Sequence, residues 1–324
     1  MSILITGVAG FIGTNLAQRF LLNGEKVIGI DNFSRGTSGN MFNFIDNPRF
    51  DFHELDLTDL FSYRLAVQGV ISSEPITEVW HLAANSDIPA GIYNADVDLK
   101  DTFMTTFNTL KIMQEFKIKT LMFASSSAIY GDLGDTILVE DVGPLFPISN
   151  YGAMKLASEA IISAAVENYL DIACVFRFPN VVGVPATHGV ILDFVHKLKV
   201  STNSLQVLGD GTQQKSYLHV RDLINAMFMI SERSSDGLHY YNIGAENDDG
   251  VPVSDIAKLV VGAVSPAASI VFGSGGKGWV GDVPKFKYSV EKIKALGWSP
   301  ELDSIRALEK AINEIVAQES EYKE

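Results

Sequence analysis

The stretch ILITGVAGFIGTNL, Ile3 to Leu16, decides the fold. It opens as a short apolar run and then sets Gly7, Gly10 and Gly13 at even spacing ahead of a segment with helical period. Strand, tight turn and helix in that order begin a βαβ unit. Glycine suits such a turn because it adopts dihedrals closed to other residues. Without side chains there, a pyrophosphate can also approach the backbone N–H groups at the positive end of the helix. Phe11 and Ile12 lie inside the same turn. A glycine triplet alone recurs by chance, so the next apolar run matters: EKVIGID ends in Asp31, eighteen residues after Gly13. A carboxylate there accepts both hydroxyls of an adenosine ribose and repels a 2′-phosphate, which favours NAD over NADP, with Asn32 beside it.

Working outward, short β-rich runs alternate with helical segments, the pattern of a parallel sheet covered on both faces. Strands are expected at Ile3–Thr6, Lys26–Ile30, Phe50–Leu55, Glu78–Leu82, Thr120–Ala124 and Ile172–Phe178, with helices near 11–22, 59–72, 95–116 and 150–169. The fold class is therefore α/β, a doubly wound parallel sheet. Past Asn180 the rhythm shortens: helices near 190–199, 222–232, 254–264, 289–296 and 302–317, strands at Leu205–Leu208 and 239–243. The expected division is a dinucleotide-binding domain over 1–180 and a smaller mixed α/β lobe over 181–324, some of whose segments return to the large sheet. Residues 247–250 and SGGKG at 274–278 read as mobile loops, and the polar tail QESEYKE is expected to fray.

Composition sets the outer limits. With 39 acidic and 25 basic residues the formal charge is −14, which argues against a nucleic-acid groove or an anionic membrane surface as partner. Cys174 is the single cysteine, so no intramolecular disulfide and no cysteine-built metal site is expected. The apolar start lacks a basic leader region and carries glycines and polar residues, so it reads as strand, turn and helix of a cytoplasmic protein rather than a signal peptide.

Chemistry is expected at the carboxyl edge of the sheet, where ligands sit in open α/β folds. Asp56 and Leu57, ending the third strand, are placed for an adenine edge. Leu82, Ala83 and Ala84 end the fourth with small side chains beside a crowded cofactor, and His81 before them reads as a core histidine. Arg35 reads as a solvated loop arginine, with a phosphate clamp as the alternative. The fifth strand runs into FASSSAIYG, so Ser125, Ser126 and Ser127 emerge at the edge, and SNYGAMK then places Tyr151 four residues before Lys155. A tyrosine is a poor base at neutral pH unless nearby positive charge stabilises its phenolate, and an ammonium one helical turn away, with an oxidised nicotinamide, is expected to do so. A second Tyr-x-x-x-Lys at Tyr288 and Lys292 has no strand edge before it and reads as a decoy.

The motifs TGVAGFIG, DNFSRG, HLAA, SSSAIYG, YGAMK, RFPNVVG, SYLHVRD and GDVPKFKYSVEKIKALGW, in this order, resemble the extended short-chain dehydrogenase/reductase family. The likeness is nearest to nucleotide-sugar epimerases of the UDP-glucose 4-epimerase type. It implies Ser126, Tyr151 and Lys155 as the catalytic set, with Ser125, Phe178 and Val181 on the nicotinamide side. Asn180 would meet a substrate diphosphate and Ser86 the sugar. Two departures stand out: Lys215 holds a place where the family usually has arginine, and Trp279 another. A lysine lacks the guanidinium fork, so diphosphate recognition is altered. Trp279 reads as core or as a wall for the nucleotide base. Ser127, Ala128 and Ile129 replace the acidic residues by which the related dehydratases and decarboxylases extend the chemistry beyond C4. The resemblance thus implies an NAD-dependent epimerase that oxidises a nucleotide-diphosphate sugar, UDP-hexose first among them, reversibly at C4, and works as a homodimer. A reductase of a nucleotide-linked keto sugar and a catalytically idle NAD-binding regulator are the alternatives.

Overall fold

The computed structural model describes residues 2–245, 250–275 and 287–321. Trp279 lies outside them, as do all of the 247–250 loop except Gly250 and all of the 274–278 loop except Ser274 and Gly275.

The chain forms two compact units. The first takes the chain up to Gly131, then Pro144–Phe178 and Met227–Tyr241. Its centre is a seven-stranded sheet, in spatial order Gly237–Asn242, Ile172–Phe178, Thr120–Ser126, Ile76–His81, Ser2–Thr6, Lys26–Asp31 and Phe50–Glu54. The six strands from Ile172–Phe178 to Phe50–Glu54 pair in parallel. Ser2–Thr6, SILIT, is buried at every position because helices cover both faces. The second strand pairs on one side of it and the fourth on the other, so the order reverses there, and the glycine turn opens directly onto that switch point. Leu4, Ile28, Val79, Leu121, Phe123 and Val175 form the core on one face with Tyr63, Val67, Ile112 and Ile162. Trp80 anchors the other face, edge-on to Phe20 and stacked on Phe176.

Sequence period located these strands and the helices Phe11–Leu22, Leu60–Ile71 and Asn150–Asn168 to within a few residues. The segment expected as one helix over 95–116 is instead a short helix Ala95–Asp98, a π-helical stretch Leu99–Met104 and a helix Thr105–Phe116.

The second unit contains Asp132–Gly143, Pro179–Ala226 and the chain from Asn242. Helices Val190–Val200, Val253–Val264 and Ser304–Glu321 pack around Phe194, Leu198, Ile256, Val260, Leu308 and Ile312. Two-stranded ladders, among them Asn180–Val182 with Tyr217–His219 and Ser204–Val207 with Ser269–Phe272, complete it. Of the tail expected to fray, residues 318–321 are helical and docked: Gln318 exchanges two hydrogen bonds with the backbone of Ala186, and Glu319 pairs with Lys199 and His196; residues 322–324 lie outside the described residues. Polar residues extend the helix there because they are docked.

Candidate active site

The dinucleotide end is built from backbone. Gly7 has φ of +72°, and a Cβ on it would lie 2.8 Å from the Ala83 amide nitrogen, while one on Gly13 would fall 2.1 Å from the Gly7 carbonyl oxygen. The turn closes only around bare backbone. The helix Phe11–Leu22 starts at Gly10 with no side-chain cap, whereas Leu60–Ile71, Ile88–Tyr93 and Asn150–Asn168 are capped by Asp59, Asp87 and Ser149. Its first N–H groups are thus left for a ligand, and an anion is the ligand the helix dipole favours. Asp31, only 9% exposed, accepts from the backbone N–H of Ala9 at 2.9 Å and of Phe33 at 2.8 Å. Each carboxylate oxygen keeps a lone pair for a ribose hydroxyl. Burial raises its pKa and these backbone bonds oppose the rise. The cradle fits a dinucleotide: Gly7, Gly10 and Gly13 would meet the pyrophosphate and Asp31 the adenosine ribose.

Other residues expected around the cofactor have their own local partners. Asn32 accepts from the Ser34 N–H and Asp56 from Thr58, each closing a turn, and Leu57 is buried in the core. Arg35 reaches the loop after the fourth strand, donating to Ser86 Oγ at 3.3 Å and pairing with Asp87 at 3.3 Å. Leu82 and Ala83 hang from Thr6, through its carbonyl and its hydroxyl respectively. His81, fully buried, lies 2.7 Å from the Thr6 hydroxyl and 3.1 Å from that of Thr106, the satisfied core histidine expected. Burial, helped by the charge of Lys155, pushes its pKa down to about 3.

At the chemical end, strand Thr120–Ser126 and helix Asn150–Asn168 bring Ser126, Tyr151 and Lys155 together. Ser149 caps the helix by accepting from the Gly152 N–H at 3.1 Å, which fixes Tyr151 on its first turn. Tyr151 is hydrogen-bonded to Ser126. Lys155, 2% exposed, donates to the Ala124 carbonyl at 2.7 Å, and its Nζ stands 5.8 Å from the centre of the Tyr151 ring. Burial pulls the ammonium down to about 7, opposed by Glu159 and Asp98. Burial pushes the phenol up to about 12, opposed by Ser126 and reinforced by Asp98. At the phenol, desolvation outweighs the stabilising Ser126 hydrogen bond; the expected lowering calls on the positive nicotinamide as well as on Lys155.

Ser125, beside Ser126, points the other way and donates to Glu159, which holds Arg177 in a buried pair with N–O distances of 2.6 to 3.2 Å. Arg177 also donates to the Tyr130 hydroxyl at 3.0 Å. This pair fixes the turn of helix that follows Lys155; Arg177 heads the RFPNVVG motif, but nothing in the sequence named Glu159 as its partner. Phe178 ends its strand opposite Ser126. In the second unit Asn180 donates to the Ser216 carbonyl at 3.4 Å, Val181 pairs with Leu218, and Lys215 lies on the strand Gln214–Lys215. Tyr288 is buried on a strand paired with Leu138, while Lys292 lies on the following helix Glu291–Lys294, so this second Tyr-x-x-x-Lys is not a one-face helical pair. Among the described residues no cluster of histidine, cysteine and carboxylates suits a metal ion, and no helix is long and apolar enough to cross a membrane.

Residues 3–244 match the model of the NAD dependent epimerase/dehydratase family. The chain belongs to that family. The UDP-glucose 4-epimerase of Lacticaseibacillus casei is 29% identical over 94% of this chain and 93% of its own. A solved UDP-galactose 4-epimerase is 32% identical with a TM-score of 0.84, covering 98% of this chain and 99% of its own. The UDP-glucuronic acid 4-epimerase of Bacillus cereus, solved with UDP-glucuronic acid and NAD, is 26% identical with a TM-score of 0.83 over 98% of this chain and 100% of its own. Membership makes the protein an NAD-dependent enzyme on a Rossmann-type sheet, in agreement with the cradle at Gly7, Gly10, Gly13 and Asp31.

Proposed function

We propose that the protein is a nucleotide-diphosphate-sugar 4-epimerase acting on a UDP-hexose. The observation that carries this reading is the convergence of Ser126, Tyr151 and Lys155 at the carboxyl edge of the sheet that holds the dinucleotide turn. When bound, NAD supplies a reversible hydride acceptor and a positive ring, so that C4 of the sugar can be oxidised and reduced again within one turnover. Tyr151 takes the proton of the C4 hydroxyl and returns it. Ser126 hydrogen-bonds the same sugar oxygen, and Lys155 balances the phenolate charge while holding the nicotinamide ribose. Asn180 and Lys215 meet the diphosphate, Ser86 the sugar. Residues 1–180 serve the cofactor and 181–324 the nucleotide sugar. Absence of an acidic residue at 127–129 favours simple inversion over dehydration.

UDP-, GDP-, CDP- and dTDP-hexoses incubated with the purified protein and followed by NMR test this. The expected outcome is interconversion of a UDP-hexose pair differing at C4, without added cofactor and without net NADH absorbance. Stoichiometric cofactor consumption makes the protein a reductase instead. The proposal includes a cytoplasmic homodimer: Leu99 and Phe107, 44% and 41% exposed on consecutive helical stretches, offer apolar surface for a second copy. Light scattering is expected to give twice the 35.3 kDa of the chain.

A further inference from the structure

Two loops flank the dinucleotide turn, and one side chain joins them. The first strand lies between the second and the fourth in the sheet, so a link from the loop after the second to the loop after the fourth passes across the carboxyl end of the first, where the glycine turn opens. Arg35 makes that link. Its Nε donates to Ser86 Oγ and its Nη1 to Asp87 Oδ2, each at 3.3 Å. Three of the five guanidinium N–H groups keep no partner among the described residues. Both ends of the bridge are anchored. Beside the second strand, Asn40 donates to the Ala9 carbonyl at 2.7 Å, and a Cβ on Gly36 would fall 2.3 Å from that same oxygen. Beyond the fourth, Asn85 accepts from the Asp87 N–H at 2.9 Å, donates to the Asp87 carbonyl at 2.9 Å and donates to the fully buried carboxylate of Asp98 at 2.8 Å. Asp87 Oδ1 caps the helix Ile88–Tyr93 by accepting from the Ala90 N–H at 3.1 Å, which leaves Oδ2 for Arg35.

We propose that Arg35 is the latch of the cofactor cleft, a positioning residue whose bridge to Ser86 and Asp87 closes over the pyrophosphate on the glycine turn and slows the release of bound NAD. This rests on the cradle of Gly7, Gly10, Gly13 and Asp31 and is independent of which sugar is turned over. A guanidinium serves such a place because its planar fork bonds a carboxylate and a phosphate at once, which the point charge of a lysine does not. Arg35 and Asp87 are 36% and 37% exposed, so their pair contributes little to folding and is weakened by salt. Its effect therefore falls on the rate at which the cleft opens.

Exchange of bound NAD for deuterium-labelled NAD in the holoenzyme, read by mass spectrometry after rapid desalting, tests the latch without any sugar. Arg35→Ala is expected to exchange about tenfold faster. Asp87→Asn keeps the helix cap and loses the charge, so it exchanges faster as well, and the double variant is no faster than Arg35→Ala alone. Added salt speeds exchange in the unaltered protein more than in Arg35→Ala. Unchanged exchange in Arg35→Ala overturns the proposal. So does fast exchange in Arg35→Ala with Asp87→Asn behaving as the unaltered protein, which makes Arg35 a phosphate contact and no latch. Arg35→Gln replaces the alanine variant if that one does not fold. The expected exchange rates in a protein that turns over no nucleotide sugar support the latch and defeat the proposed reaction alone.

Discussion

Tyr151 has its phenol within reach of Ser126 and one helical turn from a buried ammonium, yet its resting pKa is pushed up to about 12. At rest the phenol is therefore protonated, and in the proposed mechanism it becomes a base only when further positive charge enters. Tyr151→Phe is expected to lower kcat by about 10²- to 10⁴-fold with the fold and bound NAD retained, as read by sugar NMR and by cofactor release on denaturation. Gly13→Ala is expected to do the opposite, giving protein purified without NAD, because its methyl group has no place beside the Gly7 carbonyl. Both sites were legible in the sequence, since a glycine turn and a tyrosine four residues before a lysine are local spacings. Asp98 was not. A carboxylate on a helix looks like any solvated side chain until the packing shows that water cannot reach it.

Elements decide how firmly those residues are held. Arg177 on the strand Ile172–Phe178 and Glu159 on the helix Asn150–Asn168 tie the two together beneath the catalytic turn. Arg177→Met leaves Glu159 buried and unpaired, an expected loss of about 3–5 kcal/mol by urea denaturation, while Arg177→Met with Glu159→Leu recovers most of it. Arg177 heads a quoted motif, but its pairing with Glu159 was not readable, because it joins residues 18 apart through tertiary structure alone. The π-helical stretch Leu99–Met104 was hidden for a related reason: LKDTFM contains no glycine or proline to mark a change of pitch. The stretch packs on the helix Asn150–Asn168. In the second unit the strand expected at Leu205–Leu208 is found as Ser204–Val207, but its partner and ladders such as Asn180–Val182 with Tyr217–His219 are too short to show a period of two.

The whole molecule carries a pH signature from His81. Its imidazole is held at a pKa of about 3 against an ordinary 6.5, so the folded state refuses a proton that the unfolded chain accepts. The stability it contributes is complete above pH 6.5 and is lost as the pH falls toward 3, by about 1.4 kcal/mol per pH unit. His81→Gln is expected to flatten that slope by one proton between pH 6 and pH 4 in urea titrations. The parallel sheet with helices on both faces was readable from alternation alone. The partner of each late strand was not, since register depends on surfaces far away in the chain.

The outermost strand, Gly237–Asn242, reaches the sheet only after the 48 residues Pro179–Ala226 of the other unit have been made. During synthesis the emerging chain must therefore wait with Ile172–Phe178 as a bare, apolar margin, a template for stray pairing. A truncated gene product stopping at Pro179, however natural that breakpoint looks to an engineer, is expected to precipitate on expression, whereas one extended through Asn242 closes the margin it would otherwise leave open.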